Sequence, residues 1–201
     1  MPVLEQLAGL YPQLFGAAFQ PLKRGIFQDL LQMHPDVLDS VSLKAALAQH
    51  TRSTRYLVVV AEGRPRHDLS GQAVEPMAPE HVHHALLEVF RRRQARSKED
   101  LAPTLRRRIA HAFVRSGLQP EAYAALVHSR DDQANQLLND ALQEARAEAA
   151  KDEALLRAFE ASGHAVDAFA DMYGIDARTA GVALERARRS RAGGAAGVQT
   201  V

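Results

Sequence analysis

Hydrophobic residues recur along this chain at helical spacing, in short runs separated by proline, glycine and polar clusters. The spacing predicts a short helix over residues 4–15, ending near Gly16, and a second over residues 21–34. Pro21 suits a first-turn position, where its missing N–H costs no hydrogen bond, and Pro35 closes the run. Asp39 and Ser40 offer an N-cap for a third helix, from about Val41 to beyond Tyr56. Leu43, Ala46, Leu47, His50, Thr54, Leu57 and Val58 fall on one stripe of it. Gly63 and Pro65 end this element. The segment RHDLSGQAV (66–74) alternates weakly around Ser70 and Gly71 and predicts a small β-hairpin. Pro79 then opens a helix reaching Gln94.

Beyond Gln94 the pattern changes. ARSKED (95–100) is polar and reads as a linker or helix join. LAPTLRRRIAHAFVRSG (101–117), QPEAYAALVHS (119–129), a long acidic run over 131–161, and the pair AVDAFADMYG and DARTAGVALERARR (165–174 and 176–189) all read as helix. The last residues, AGGAAGVQTV, have the composition of a disordered tail. No internal repeat stands out. The expectation is a mainly α protein: a helical domain with a small β-hairpin over residues 1–97, an all-helical extension over 98–190, and a disordered tail over 191–201.

Composition narrows the function. Aromatics make up only 5% and Trp is absent, so the core rests on Leu, Ala and Val. The chain has no Cys, which excludes disulfides, thiolate catalysis and zinc–thiolate sites. Residues 1–20 lack the basic start and apolar run of a signal peptide, and no stretch approaches the ~18 apolar residues of a membrane span. A soluble cytoplasmic protein is expected. The net charge of +1 hides an uneven distribution. Lys44, Arg52 and Arg55 face only Glu62 over residues 40–63. Over 131–160 the balance reverses: Asp131, Asp132, Asp140, Glu144, Glu148, Asp152, Glu153 and Glu160 face Arg146, Lys151 and Arg157.

The stretch HTRSTRYL (50–57) places two arginines, three hydroxyls and a tyrosine beside the core. On a continuous helix, at ~100° per residue, Lys44, Ala48, Thr51, Arg52, Arg55 and Val59 cluster opposite the apolar stripe. Three cations with no carboxylate between them make an anion surface, with Tyr56 at its rim and Arg64 and Arg66 arriving on the following hairpin. A tyrosine beside arginines suits a stacked base next to phosphates. A solvated basic helix with a half-buried tyrosine fits the pattern equally well.

PLKRGIFQDLL (21–31), HTRSTRYL (50–57), RHDLSG (66–71) and PEHVHHA (79–85) stand in the order and spacing of the ProQ/FinO domain, which the chain resembles over roughly residues 4–95. The resemblance implies a bacterial RNA chaperone domain, α-helical with a small hairpin and a concave basic face. Such a domain binds the base of intrinsic terminator hairpins and the single-stranded 3′ U tail. The family's PLK lysine falls on Lys23, its tyrosine on Tyr56 with Arg55 preceding it, the arginine before the DLxG aspartate on Arg66, and its hydroxyl-rich turn on Thr51 and Ser53. Some relatives carry further basic residues where this chain has Ser40 and Ala48, so part of the duplex grip is weaker or relocated onto Lys44, Arg52 or Arg24. The expected RNA site is therefore Lys23, Arg24, Lys44, Thr51, Arg52, Ser53, Arg55, Tyr56, Arg64 and Arg66. Its partners would be structured RNAs, small RNAs and mRNA 3′ ends, which it would stabilise and pair. Asp68 is expected to form the turn or hold Arg66.

Other features weigh less. His81, His83 and His84 with Glu80 and Glu88 lack a third converging element for a metal, so no metal or cofactor is expected. His81 is expected against the hairpin and His83 facing water. Arg91, Arg92 and Arg93 suit a helix C-terminus, with an extra phosphate contact as the functional alternative. Ala170, Gly174 and Ala180 fall at helix-turn-helix spacing with Arg178 and Thr179 leading the second helix, so a DNA-binding regulator is the alternative function. A protein–protein adaptor with a basic face is a third. The acidic run reads as a solvated helix or as a screen against loosely held RNA. No Ser–His–Asp arrangement or phosphate loop is recognisable, so no enzyme is expected.

Overall fold

The computed structural model describes the main chain of residues 2–196 and, within it, the side chains of residues 3–192. In chain order it comprises α1 (Pro2–Leu10), α2 (Pro12–Phe15), α3 (Ile26–Met33), α4 (Ser40–Arg52), α5 (Thr54–Ala61), β1 (Arg66–His67), β2 (Ala73–Glu75), α6 (Pro79–Gln94), α7 (Ala102–Ser116), α8 (Pro120–Val127), α9 (Asp132–Ser162), α10 (Val166–Tyr173) and α11 (Ala177–Ala196). The fold is mainly α with one small antiparallel sheet, as the hydrophobic spacing implies. By contacts the chain divides into two units, Met1–Leu138 and Asn139–Val201, with the division inside α9.

In the first unit α5, α7 and α8 all pack on α6. The α6 residues Val82, His83, Ala85, Leu86, Leu87 and Val89 are buried, as are Leu105 and Ile109 of α7 and Tyr123 and Val127 of α8. The sheet pairs Arg66 with Glu75 and His67 with Ala73. Its turn is built by Asp68, whose Oδ1 accepts from the Ser70 and Gln72 amides and the Ser70 hydroxyl. Gly71 completes the turn at φ +79°, and a Cβ there would lie 2.9 Å from Gln13 Cγ, so both backbone and space require glycine.

In the second unit Leu156 of α9 packs with Leu184 and Ala187 of α11, flanked by Leu155, Phe159 and Val166. Arg186 of α11 bonds Glu148 and the buried Asp152, and Arg191 bonds Glu153 and Glu160. The later part of the acidic run, Glu148, Asp152, Glu153 and Glu160, is thus one side of an ion-pair seam. Ala170 and Ala180 are buried around Gly174, which turns at φ +65°. Asp176 caps α11 by accepting from the Thr179 amide and hydroxyl.

Four elements depart from the sequence-based expectation. Residues 4–15 are two helices, broken at Tyr11 before Pro12. Residues 21–25 are not helical: Lys23 N–H bonds His67 O and His67 N–H bonds Pro21 O, so this segment runs beside β1, and α3 starts only at Ile26. The expected long third helix is two, because Ser53 takes an extended conformation (φ −66°, ψ 146°) and caps α5 through its hydroxyl. After that break the buried residues are Tyr56, Val60 and Ala61, in place of Thr54, Leu57 and Val58. Finally, α11 continues to Ala196, so 191–196 are helical; the rest of the expected tail, 197–201, lies outside the described residues.

Candidate nucleic-acid interface

The break at Ser53 accounts for the hydroxyls of HTRSTRYL. Thr51 Oγ1 donates to Leu47 O at 2.9 Å, closing the last turn of α4. Ser53 Oγ accepts from Tyr56 N–H at 3.2 Å. Thr54 Oγ1 accepts from Arg92, whose guanidinium also donates to Arg52 O. The three hydroxyls fasten the corner between α4 and α5, and local side-chain bonds of this kind favour a helix boundary over a helix interior.

Past that corner Tyr56 points inward, only 6% exposed. Its hydroxyl accepts from Leu22 N–H at 3.0 Å, its ring meets the His50 ring edge-on, and burial raises its pKa. The tyrosine expected at the rim of a basic face is a buried strut. On the other side of the same residue, Arg66 Nη1 donates to Leu22 O at 3.0 Å. Leu22 is therefore clamped at both main-chain polar groups by side chains 34 and 44 residues away.

The clamp gathers a polar cluster. Lys23 Nζ donates to Asp29 at 2.7 Å, and that bond raises the ammonium pKa. Arg24, with a side chain 65% exposed, lies 3.9 Å from Glu75. Arg66, 14% exposed, lies 3.6 Å from the same carboxylate and 3.3 Å from His81 Nδ1. Glu75, absent from the sequence-based site, accepts from Arg24 N–H and lies between the two arginines, whose summed charge it offsets by half. Asp68 takes its turn role and is not bonded to Arg66. Its pKa is lowered first by the Ser70 hydroxyl.

The other expected residues lie in separate places. Arg55 donates to Ala17 O at 2.6 Å and its guanidinium lies 4.4 Å over the Phe19 ring. Together with Arg64 it lines a depression of about 290 Å³ walled by Ala17, Phe19, Val58 and Val59. Arg64 is held by Glu62 at 2.6 Å. Lys44 and Arg52 are exposed on α4, and Arg92, for which the sequence offers a helix-end role or a phosphate contact, donates to the Arg52 carbonyl. Among the described residues no carboxylate pairs with Lys44, Arg52 or Arg55.

The histidines follow burial. His81 is exposed and contacts the hairpin through Arg66. His83, expected to face water, is buried against Tyr123 because α8 covers that side of α6, and burial holds its pKa down to about 4. No group of three or more metal-ligating side chains occurs among the described residues. None of their helices is long and apolar enough to cross a membrane.

A helical domain whose PLK strand, hairpin and Tyr–Arg clamp assemble in this way is a ProQ/FINO domain. A profile of that family matches residues 1–102, and the chain belongs to it. Its relatives include the RNA chaperone ProQ of Aeromonas salmonicida, 36% identical over 139 residues (62% of this chain, 66% of the relative). That of Vibrio vulnificus is 41% identical over 104 residues (48% and 50%). That of Pseudoalteromonas atlantica is 39% identical over 87 residues (41% and 40%). The chain thus spans between 40% and 66% of the length of these relatives. Among solved structures, a FinO-like RNA chaperone from Neisseria meningitidis MC58 covers 47% of this chain and 80% of its own, at 28% identity and a TM-score of 0.41.

Proposed function

We propose that this chain is an RNA chaperone that binds structured RNAs ending in a hairpin and a 3′ U tail, stabilises them and promotes their pairing with other RNAs. It acts by binding alone. Its partners are small RNAs and mRNA 3′ ends.

The observation that supports this most is the convergence of the neighbours Lys23 and Arg24 with the distant Arg66 on one strand–hairpin unit braced by Tyr56. Their carboxylate partners hold the cations in position. The more exposed pairs, Lys23–Asp29 and Arg24–Glu75, contribute only ~0–1 kcal/mol each, so phosphate displaces the carboxylate from Lys23 or Arg24 at little cost. Lys44, Arg52 and Arg55 have no carboxylate to displace and supply charge for the duplex backbone. Neutralised phosphates let two RNAs approach, which is the physical basis of annealing. Base stacking on Tyr56 is no part of the mechanism, since that ring is buried.

The test is competition. A labelled terminator hairpin with a 3′ U tail is bound, then challenged with unlabelled duplex DNA and with the same hairpin lacking its tail. Both competitors should be weaker than the tailed hairpin. Duplex DNA competing equally well would favour a DNA-binding regulator, and a tail of no consequence would sink the 3′-end reading.

A further inference from the structure

A second cleft lies beside the hairpin, between residues flanking its two strands and α7, with a volume of about 620 Å³. That size falls within the ~300–1,000 Å³ of ligand pockets. One wall is apolar: Pro65, Pro76, Met77 and Val82. The other is α7, which contributes Arg107, Arg108 and Arg115. The family match ends at residue 102, so half of this cleft comes from a helix beyond it.

The arginines are in unlike states. Arg115 donates to the Glu62 and Gly63 carbonyls at 2.8 and 3.3 Å, tying α7 to the end of α5. Arg107 is exposed and donates to Thr104 Oγ1 at 3.4 Å. Arg108 is half-buried; desolvation, then the neighbouring Arg93, lower its pKa. The carboxylate that opposes this, Glu62, is already bonded to Arg64 at 2.6 Å. A guanidinium partly removed from water, beside a second cation and without an acid of its own, is stabilised by any anion that enters. Its planar donors match phosphate oxygens.

We propose that this cleft is a second RNA subsite that holds a nucleotide of a single-stranded segment, with its phosphate on Arg107 and Arg108 and its base against Pro65, Met77 and Val82. The inference rests on the RNA-binding reading of the hairpin face and extends it. Neighbouring residues link the two sites: Arg66, Glu75 and His81 belong to the clamp, while Pro65, Pro76 and Val82 line the cleft. An acidic peptide would satisfy the charge but gives no reason for a compact apolar wall of nucleotide size next to an RNA site.

The test uses the full chain and two hairpins, one with a short U tail only and one flanked by about ten unpaired uridines on each side, within the ~4–16 nucleotides of a single-strand site. The variants are the double substitution Arg107→Ala/Arg108→Ala and, in case that one fails to fold, Thr104→Glu at the exposed rim. Wild type should bind the flanked hairpin more tightly. Both variants should lose roughly tenfold on it, with a salt slope shallower by about one to two for the double substitution, and leave the short-tailed hairpin unchanged. Variants that hold the flanked hairpin as wild type does would overturn the subsite. So would a polyglutamate peptide that displaces a free oligouridylate as well as unlabelled oligouridylate does. Direct binding of that oligouridylate separates the two proposals: if wild type ignores the short-tailed hairpin, the clamp reading fails. The cleft then stands or falls on whether the variants release the oligouridylate.

Discussion

Tyr56 is a framework residue, and substitutions there should act first through folding. Tyr56→Phe leaves the Leu22 amide without its acceptor, a loss of about 1–2 kcal/mol. Tyr56→Ala also removes a ring packed on His50 and should cost ~3–5 kcal/mol. Urea unfolding measures both; unchanged midpoints would show that the clamp carries no stability. His50 and His83 provide a second test at this scale. Burial, aided by Arg55 for His50 and by His84 for His83, holds each folded-state pKa down to about 4. Between pH 6.5 and 4 the unfolded chain binds protons that the native chain does not. Their contribution is therefore complete above pH 6.5 and is lost as the pH falls through 4, by about 3 kcal/mol each. His50→Phe, which places a ring of similar shape beside Phe15 and Phe19, should flatten that dependence. A variant as acid-sensitive as wild type would assign the loss to other groups.

Elements show what a sequence reveals and where it stops. The helix from Pro79 to Gln94 is legible end to end, because its proline start and apolar spacing are local signals. The start of α3 is not, since Pro21 suits both a helix N-terminus and an extended strand; the choice falls to pairing with His67, 46 positions downstream. The α4–α5 corner was legible in principle. Ser53 stands three residues before Tyr56, the spacing of an N-cap, but a continuous apolar stripe outweighed it. Ser53→Ala should cost ~1 kcal/mol in thermal or urea unfolding, whereas a continuous helix would gain from the change. Family resemblance placed Lys23, Tyr56 and Arg66 in one site. Glu75 and Arg108 escape because their roles arise only from tertiary neighbours. In the second unit, Arg186→Ala strands the buried Asp152 and should destabilise by roughly 1–3 kcal/mol. No change in unfolding would mean the seam is ornamental to stability.

For the whole molecule, the family match ends at residue 102, yet α7 and α8 cover the buried face of α6 through Ile109 and Tyr123. A chain stopped at residue 97 should melt lower and aggregate more readily than one carried through residue 138. Equal melting would make 1–97 self-sufficient. The central claim is that the first unit grips RNA through phosphates, with the strand–hairpin cations supplemented by Lys44, Arg52 and Arg55, with which no carboxylate pairs among the described residues. The most direct measurement is the salt dependence of Kd for a U-tailed terminator hairpin, with wild type and with Lys44→Ala/Arg52→Ala/Arg55→Ala. The triple variant should weaken all hairpins alike and lower the log–log salt slope by roughly two to three. An unchanged slope, or a loss confined to particular loop sequences, would contradict it.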